Sequence, residues 1–222
     1  MTEDTTSTEM RLAIVLAPRS ARYSRAAFQR HYEDYHAPLF YSFGKVAVAR
    51  YGRNHIVRAI GADPPFDTIS EFGNLPDKRA ALAAALASPA ARPLEDDVKT
   101  FLAERGNVFE ITETLISGPP RGFEPGPVAK RMILLKKSEG FAQGTFAAGA
   151  KECARALARQ YGPSASRVVL TLWKPDPLPP MGAMVTIWPT KGAVLPDRAE
   201  LHAGIEPCYM LDVESYFTAW RD

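Results

Sequence analysis

Cysteine is nearly absent: the chain has two, Cys153 and Cys208, and no CxxC pair. That excludes a disulfide framework and a cysteine-built zinc module, both of which need clustered thiols at fixed spacing. Cys153 falls on an expected helix and Cys208 at an expected strand start, so both read as reduced packing residues. A nucleophilic thiol would want an imidazole beside it, and the second half of the chain offers only His202. Long apolar runs are also missing, since Leu12 to Pro18 and Val168 to Trp173 are strand-sized, far below the roughly 20 residues that span a bilayer. Charge of one sign is missing too. With 27 Lys+Arg against 25 Asp+Glu and a net charge of +2, the chain has no electrostatic case for nucleic acid. No GxGxxG after a strand, no GxxxxGK(S/T), no GxSxG and no HExxH occurs. Rossmann-bound nucleotide or flavin, P-loop phosphate and zinc-protease chemistry therefore lose their sequence support. Residues 1–9 are acidic and hydroxyl-rich where a secretory signal would be basic and then apolar, so a frayed tail on a cytoplasmic protein is expected.

What is present is a chain of 222 residues, 46% hydrophobic and 23% charged, the composition of a globular protein with one large domain or two small ones. Arg11 to Ala17 reads as a strand bounded by Pro18. A helix capped by Ser24 should follow, with Phe28, Tyr32 and Tyr35 at helical spacing and Pro38 as its stop. Val46 to Val57 and Phe66 to Phe72 read as strands, Leu75 to Ala87 as an Ala-rich helix broken at Ser88-Pro89. A helical piece then runs through Val98 and Phe101, and Asn107 to Ile116 alternates as a fourth strand. After a Pro- and Gly-dense connection over 118–127, the pattern returns in shortened form. It has strands at Ala129 to Leu135, Arg167 to Trp173, Ala183 to Trp188 and Cys208 to Tyr216, a helix at Phe146 to Tyr161, and a short helix near Asp197 to Ala203. The expected fold class is α+β: two ferredoxin-like β-α-β-β-α-β units in tandem, residues 10–117 and 128–222.

The stretch FQRHYEDYHAPL (Phe28 to Leu39), with RYGRNHIV (Arg50 to Val57) and FDTISEF (Phe66 to Phe72), resembles the EthD family of the dimeric α/β-barrel superfamily. The resemblance covers roughly residues 10 to 117. The second half resembles the superfamily in topology only, without the His-Ala-Pro-Leu motif. The resemblance implies an intramolecular barrel of two facing sheets that encloses a cleft for small aromatic or polyketide-like molecules. It also implies a mixed set of cofactor-free chemistries: dehydration, decarboxylation, cyclisation, isomerisation and oxygenation. No cofactor is expected, with haem held by shape left open. The expected partner is a small hydrophobic ligand, with no nucleic acid and no membrane, and a homodimer of the tandem chain stays open.

Chemistry has to come from residues, because one fold hosts many reactions. His36 leads, sitting before Ala37-Pro38 at the expected C-terminal end of a helix, where the macrodipole favours an imidazolium. It reads either as a general acid/base or as a helix-capping His. His31 lies five positions earlier, about 140° around an α-helix, so the two rings should share neither a face nor a metal. Strand alternation puts Tyr51, Arg53 and His55 on one face and Arg50, Gly52, Asn54 and Ile56 on the other. Tyr51 and His55 together suit a phenol, enol or carboxylate, or else form a solvated strand face. Asp67, Ile69 and Glu71 share a face of the next strand, where a carboxylate could abstract a proton or orient a His, or could simply be solvated. The expected catalytic set is His36, His55, Tyr51 and Glu71, with Tyr35, Tyr41, Arg53, Asp67 and Trp188 touching substrate and no metal. Dehydration, decarboxylation or isomerisation of a small hydrophobic oxygenated ring compound is the expected reaction. A non-catalytic carrier and a cofactor-independent oxygenase are the alternatives.

Overall fold

The computed structural model describes residues 10–120, 126–138, 145–174, 181–201 and 203–219. The expected tail over residues 1–9, residues 121–125 of the expected connection, and His202 lie outside the described residues. Eight strands are present: β1 Arg11–Ala17, β2 Val48–Ile60, β3 Thr68–Asn74, β4 Asn107–Ser117, β5 Val128–Lys137, β6 Ala165–Lys174, β7 Met181–Pro189 and β8 Ile205–Ala219. The α-helices are α1 Arg25–His31, α2 Ala37–Gly44, α3 Arg79–Ala87, α4 Arg92–Phe101 and α5 Phe146–Tyr161. The strands hydrogen-bond in the order β1-β3-β2-β8-β5-β7-β6-β4, which closes on itself as a barrel. No helix among the described residues is long and apolar enough to cross a membrane.

Contact density divides the chain into two compact units, Met1–Arg53 with Phe66–Val108 and Phe217–Asp222, and Asn54–Pro65 with Phe109–Tyr216. In the first, β1 and β3 pair antiparallel with Ile14 opposite Glu71 and Val15 opposite Ser70. Side chains opposite each other share a face, so Ser70, Val15 and Phe72 lie on one face while Glu71, Ile14 and Ile69 lie on the other. Helices cover the first of these faces. Phe28, Tyr32, Ala37, Val48, Tyr51 and Phe101 form the buried cluster there, with Phe40 and Phe72 packed against it.

In the second unit α5 lays Cys153, Ala154, Leu157 and Tyr161 onto Ile133, Leu135, Val168, Leu170 and Val185. The spacing of these helix residues is the 3.6-residue apolar stripe that the sequence carries. Asp197 to Ala203 does not form the expected helix among its described residues. Instead the Arg131 guanidinium donates to the Pro196 carbonyl and the Asp197 carboxylate, so a tertiary partner takes over the work of a helical turn.

The largest departure from expectation lies at Pro38. The helix does not stop there. Between α1 and α2, residues Tyr32–His36 form a π-helical turn, and the Ala37 amide closes it by donating to the Tyr32 carbonyl, five residues back. Such a turn absorbs one extra residue, and Pro38, with no N–H to donate, falls in the first turn of the resumed helix, where none is required. His36 therefore sits inside a continuous helical run, away from any exposed helix C-terminus, and the expected dipole argument for its charge does not apply.

Candidate functional site

The first unit builds its polar centre on the helix-covered face of the sheet. The Ser24 hydroxyl accepts the Ala27 amide (3.2 Å) and starts α1, whose Phe28 stacks on Phe101 of α4 with ring centroids 5.4 Å apart. That contact fixes α1 against α4. The π-turn then acts on the histidines: its i→i+5 bonds bring residues five apart towards one face, where an α-helix would separate them. His31 Nε2 lies 2.6 Å from Asp97 Oδ1, and His36 Nδ1 lies 2.9 Å from Asp97 Oδ2. The expectation that the two rings cannot share a face is thus overturned. They meet on one carboxylate, and among the described residues no cluster of three His, Cys, Asp or Glu is arranged to hold a metal ion.

Aromatic rings enclose this trio. His31 touches Tyr23, Tyr35 and Phe101 at 5.2–5.3 Å between centroids, and His36 touches Phe101 at 4.6 Å and the edge of Tyr32 at 4.8 Å. Side-chain exposure is 23% for His31, 9% for His36 and 4% for Asp97, so solvent reaches the trio from the His31 end.

Tyr32, whose ring meets the His36 imidazole, belongs to a chain of hydroxyls. Tyr51 donates to the Tyr32 hydroxyl at 3.0 Å, and that oxygen is 2.8 Å from Ser70 Oγ. Burial pushes Tyr32 above the ordinary phenol range and Tyr51 well above it, so both stay neutral at working pH and serve as hydrogen-bonding groups, never as bases. Arg53 lies over the Tyr51 ring (4.8 Å), binds Glu33 through Nε and Nη2, and donates to the Thr218 hydroxyl. Tyr51→Phe should cost about 1 kcal/mol, because Tyr32 keeps Ser70 as a partner. A thermal melt lowered by roughly 2–4 °C would agree with this, and an unchanged melt would show the bond to be idle.

The other expected site residues are dispersed. Glu71 projects from the opposite face of β3, 3.6 Å from Arg50, because Ser70 takes the face that meets Tyr32. His55 is buried in the second unit with its ring edge-on to Tyr216. Trp188 is buried there too, with Lys130 Nζ at 4.7 Å and Arg167 Cζ at 4.0 Å from the indole centroid. Asp67 binds Arg25 Nε at 2.8 Å and accepts the Arg19 amide. Tyr35 and Tyr41 are exposed, the latter under Lys45. Asp97 was not among the expected residues, and His31 was set aside. The signal for Asp97 was present: Leu94, Asp97 and Phe101 are the buried residues of α4, and a carboxylate inside an apolar helical stripe demands a partner.

Cys208 is half-buried on β8, and burial pushes its thiol up to about 11. At pH 8 it should hold about 100-fold less thiolate than an ordinary cysteine, so disulfide-reagent labelling of the native protein should be slow. Labelling as fast as free cysteine would contradict this placement.

Two cavities are described. One, of about 490 Å³, lies in the first unit against α3 and α4 and is lined by Leu86, Ala91, Leu94, Val98 and Leu102, with Glu95 and Arg105 among its polar residues. The other, of about 290 Å³, lies in the second unit beside Val57, Arg58, Arg131, Val194 and Asp212. Haem iron takes His, Cys, Met or Tyr as an axial ligand, and the lining of neither cavity includes one, so these two sites do not fit a haem.

The same fold occurs in solved structures. A chain from Fusobacterium nucleatum provisionally named a monooxygenase has a TM-score of 0.53 at 11% identity, covering 96% of this chain and 97% of that one. An anthrone oxidase-like protein has a TM-score of 0.53 at 9% identity, covering 98% and 95%. A protein provisionally named a chlorite dismutase has a TM-score of 0.51 at 10% identity, covering 93% and 95%. At such identities the likeness is one of fold. No curated protein matches the chain. The EthD domain model matches residues 21–105, a span that holds His31, His36 and Asp97. That span of the chain is thus similar to the EthD domain.

Proposed function

We propose that the chain is a cytoplasmic, cofactor-free enzyme that performs proton-transfer chemistry on a small hydrophobic oxygenated ring compound, by dehydration, decarboxylation or isomerisation. The observation that carries this reading is a buried imidazole, His36, hydrogen-bonded to a buried carboxylate and in ring contact with Tyr32. His36 is the acid/base, and Tyr51 and Tyr32 supply neutral hydroxyls beside a developing enolate or phenolate. Glu71 and His55 have no part in it, since neither is brought to His36. The barrel, in this reading, consists of two tandem β-α-β-β-α-β units, residues 10–117 and 128–222. Its strand order supports this, because the closed circuit reads β4-β1-β3-β2 and then β8-β5-β7-β6, the same arrangement twice.

A second reading, a non-catalytic carrier, is favoured by the cavity of about 490 Å³, whose lining is largely apolar and contains no histidine. Isotope exchange separates the two. In deuterium oxide, cyclic ketones and phenols that the protein accepts should gain deuterium at the carbon next to the oxygenated centre with wild type and not with His36→Gln. Tight binding with no exchange would favour the carrier.

A further inference from the structure

We infer that Asp97 sets the tautomers of two imidazoles at once, and that His31 is a positioning residue that holds the carboxylate in place for His36. This rests on the reading of His36 as the acid/base.

A neutral imidazole carries one proton on one of two nitrogens, and the hydrogen bond made by one nitrogen decides which. Asp97 offers two oxygens, and each faces a single ring nitrogen: Oδ1 faces His31 Nε2 and Oδ2 faces His36 Nδ1. A carboxylate only accepts, so each facing nitrogen is the protonated one. His36 is thereby held as the Nδ1–H form, with the lone pair on Nε2 free to take a proton from carbon or oxygen of a substrate. The opposite tautomer would turn a donor to the substrate and leave Nδ1 and Oδ2 as two acceptors in contact.

His31 enters through the other oxygen. Phe101 flanks both rings, and a lone His36–Asp97 pair would leave Oδ1 without a donor in an aromatic enclosure. His31 supplies that donor. With both oxygens bonded, the carboxylate plane cannot turn, and the His36 ring is fixed through it, as an outer partner fixes the ring of a working imidazole. The π-turn makes this arrangement available, because it alone brings residues 31 and 36 to one face.

The test is long-range proton–nitrogen NMR on protein with labelled histidine, recorded where both rings are neutral. Wild type should show the proton on Nδ1 of His36 and on Nε2 of His31. Asp97→Asn presents one acceptor and one donor, so one of the two rings should switch tautomer. His31→Gln keeps a donor towards Oδ1 and should leave His36 in the Nδ1–H form, whereas His31→Leu should give a mixture of both forms at His36. A proton on Nε2 of His36 in wild type, or both tautomers unchanged in Asp97→Asn, would overturn the role of Asp97. An unmixed His36 in His31→Leu would overturn that of His31. Should a variant fail to fold, the wild-type spectrum still decides the first claim. Because no turnover is read, failure here is separate from failure of the proton-transfer reading.

Discussion

His36→Gln is expected to lose about 10²–10⁴-fold in kcat on the first substrate found, the usual contribution of a general acid/base. Glutamine keeps a polar side chain of similar length without a titrating ring, so the variant should fold. Alanine is the poorer probe. His36 is only 7% exposed and packs on Phe101 and Tyr32, so truncation would open a cavity and strand a carboxylate oxygen together. Steady-state kinetics alongside circular dichroism makes the check. A folded His36→Gln with full activity would move the chemistry away from this residue.

The largest stability effect should come from Asp97→Ala. Both imidazoles lose their acceptor in one step, and each buried N–H left without a partner typically costs about 1–3 kcal/mol, so the pair should cost about 2–6 kcal/mol. For a chain of this size that lowers Tm by roughly 4–24 °C. Asp97→Asn, which keeps the shape and one acceptor, should fall well short of that loss. Thermal denaturation decides it, and a loss below about 1 kcal/mol for Asp97→Ala would mean that the two histidine contacts hold nothing together.

Much of this architecture is written in local pattern. Helix α5 spans Phe146–Tyr161 as its apolar period requires, because no proline interrupts it and a buried face fixes its phase. The strands fall within a few residues of their alternating or apolar runs, and Ser24 caps where a hydroxyl before a helical period should. The site was less legible, for two physical reasons. Proline's usual effect is to end a helix, and the π-turn that lets the chain pass Pro38 has no composition of its own. That single extra residue relocates His36, reunites it with His31 and leaves Tyr35 half exposed. Alternation on β2 and β3 gives the two faces but cannot say which one a helix will cover, since both carry polar residues. The helix chose the face of Tyr51 and Ser70, and with that Glu71 left the site. Asp97 needed only the recognition that an acid within an apolar stripe has a partner to find.

Cofactor-independent oxygenation is the alternative reaction that the sequence resemblance leaves open, and a carrier is the alternative to any reaction. One measurement separates all three: mass spectrometry of oxygenated ring compounds after incubation with the protein in air, with dissolved oxygen followed in the same vessel. The account predicts product that is isomeric with the substrate, or lighter by water or carbon dioxide, formed with no oxygen consumed and lost in His36→Gln. Product heavier by oxygen, or oxygen uptake matching turnover, would contradict it, as would stoichiometric binding of a compound that is recovered unchanged.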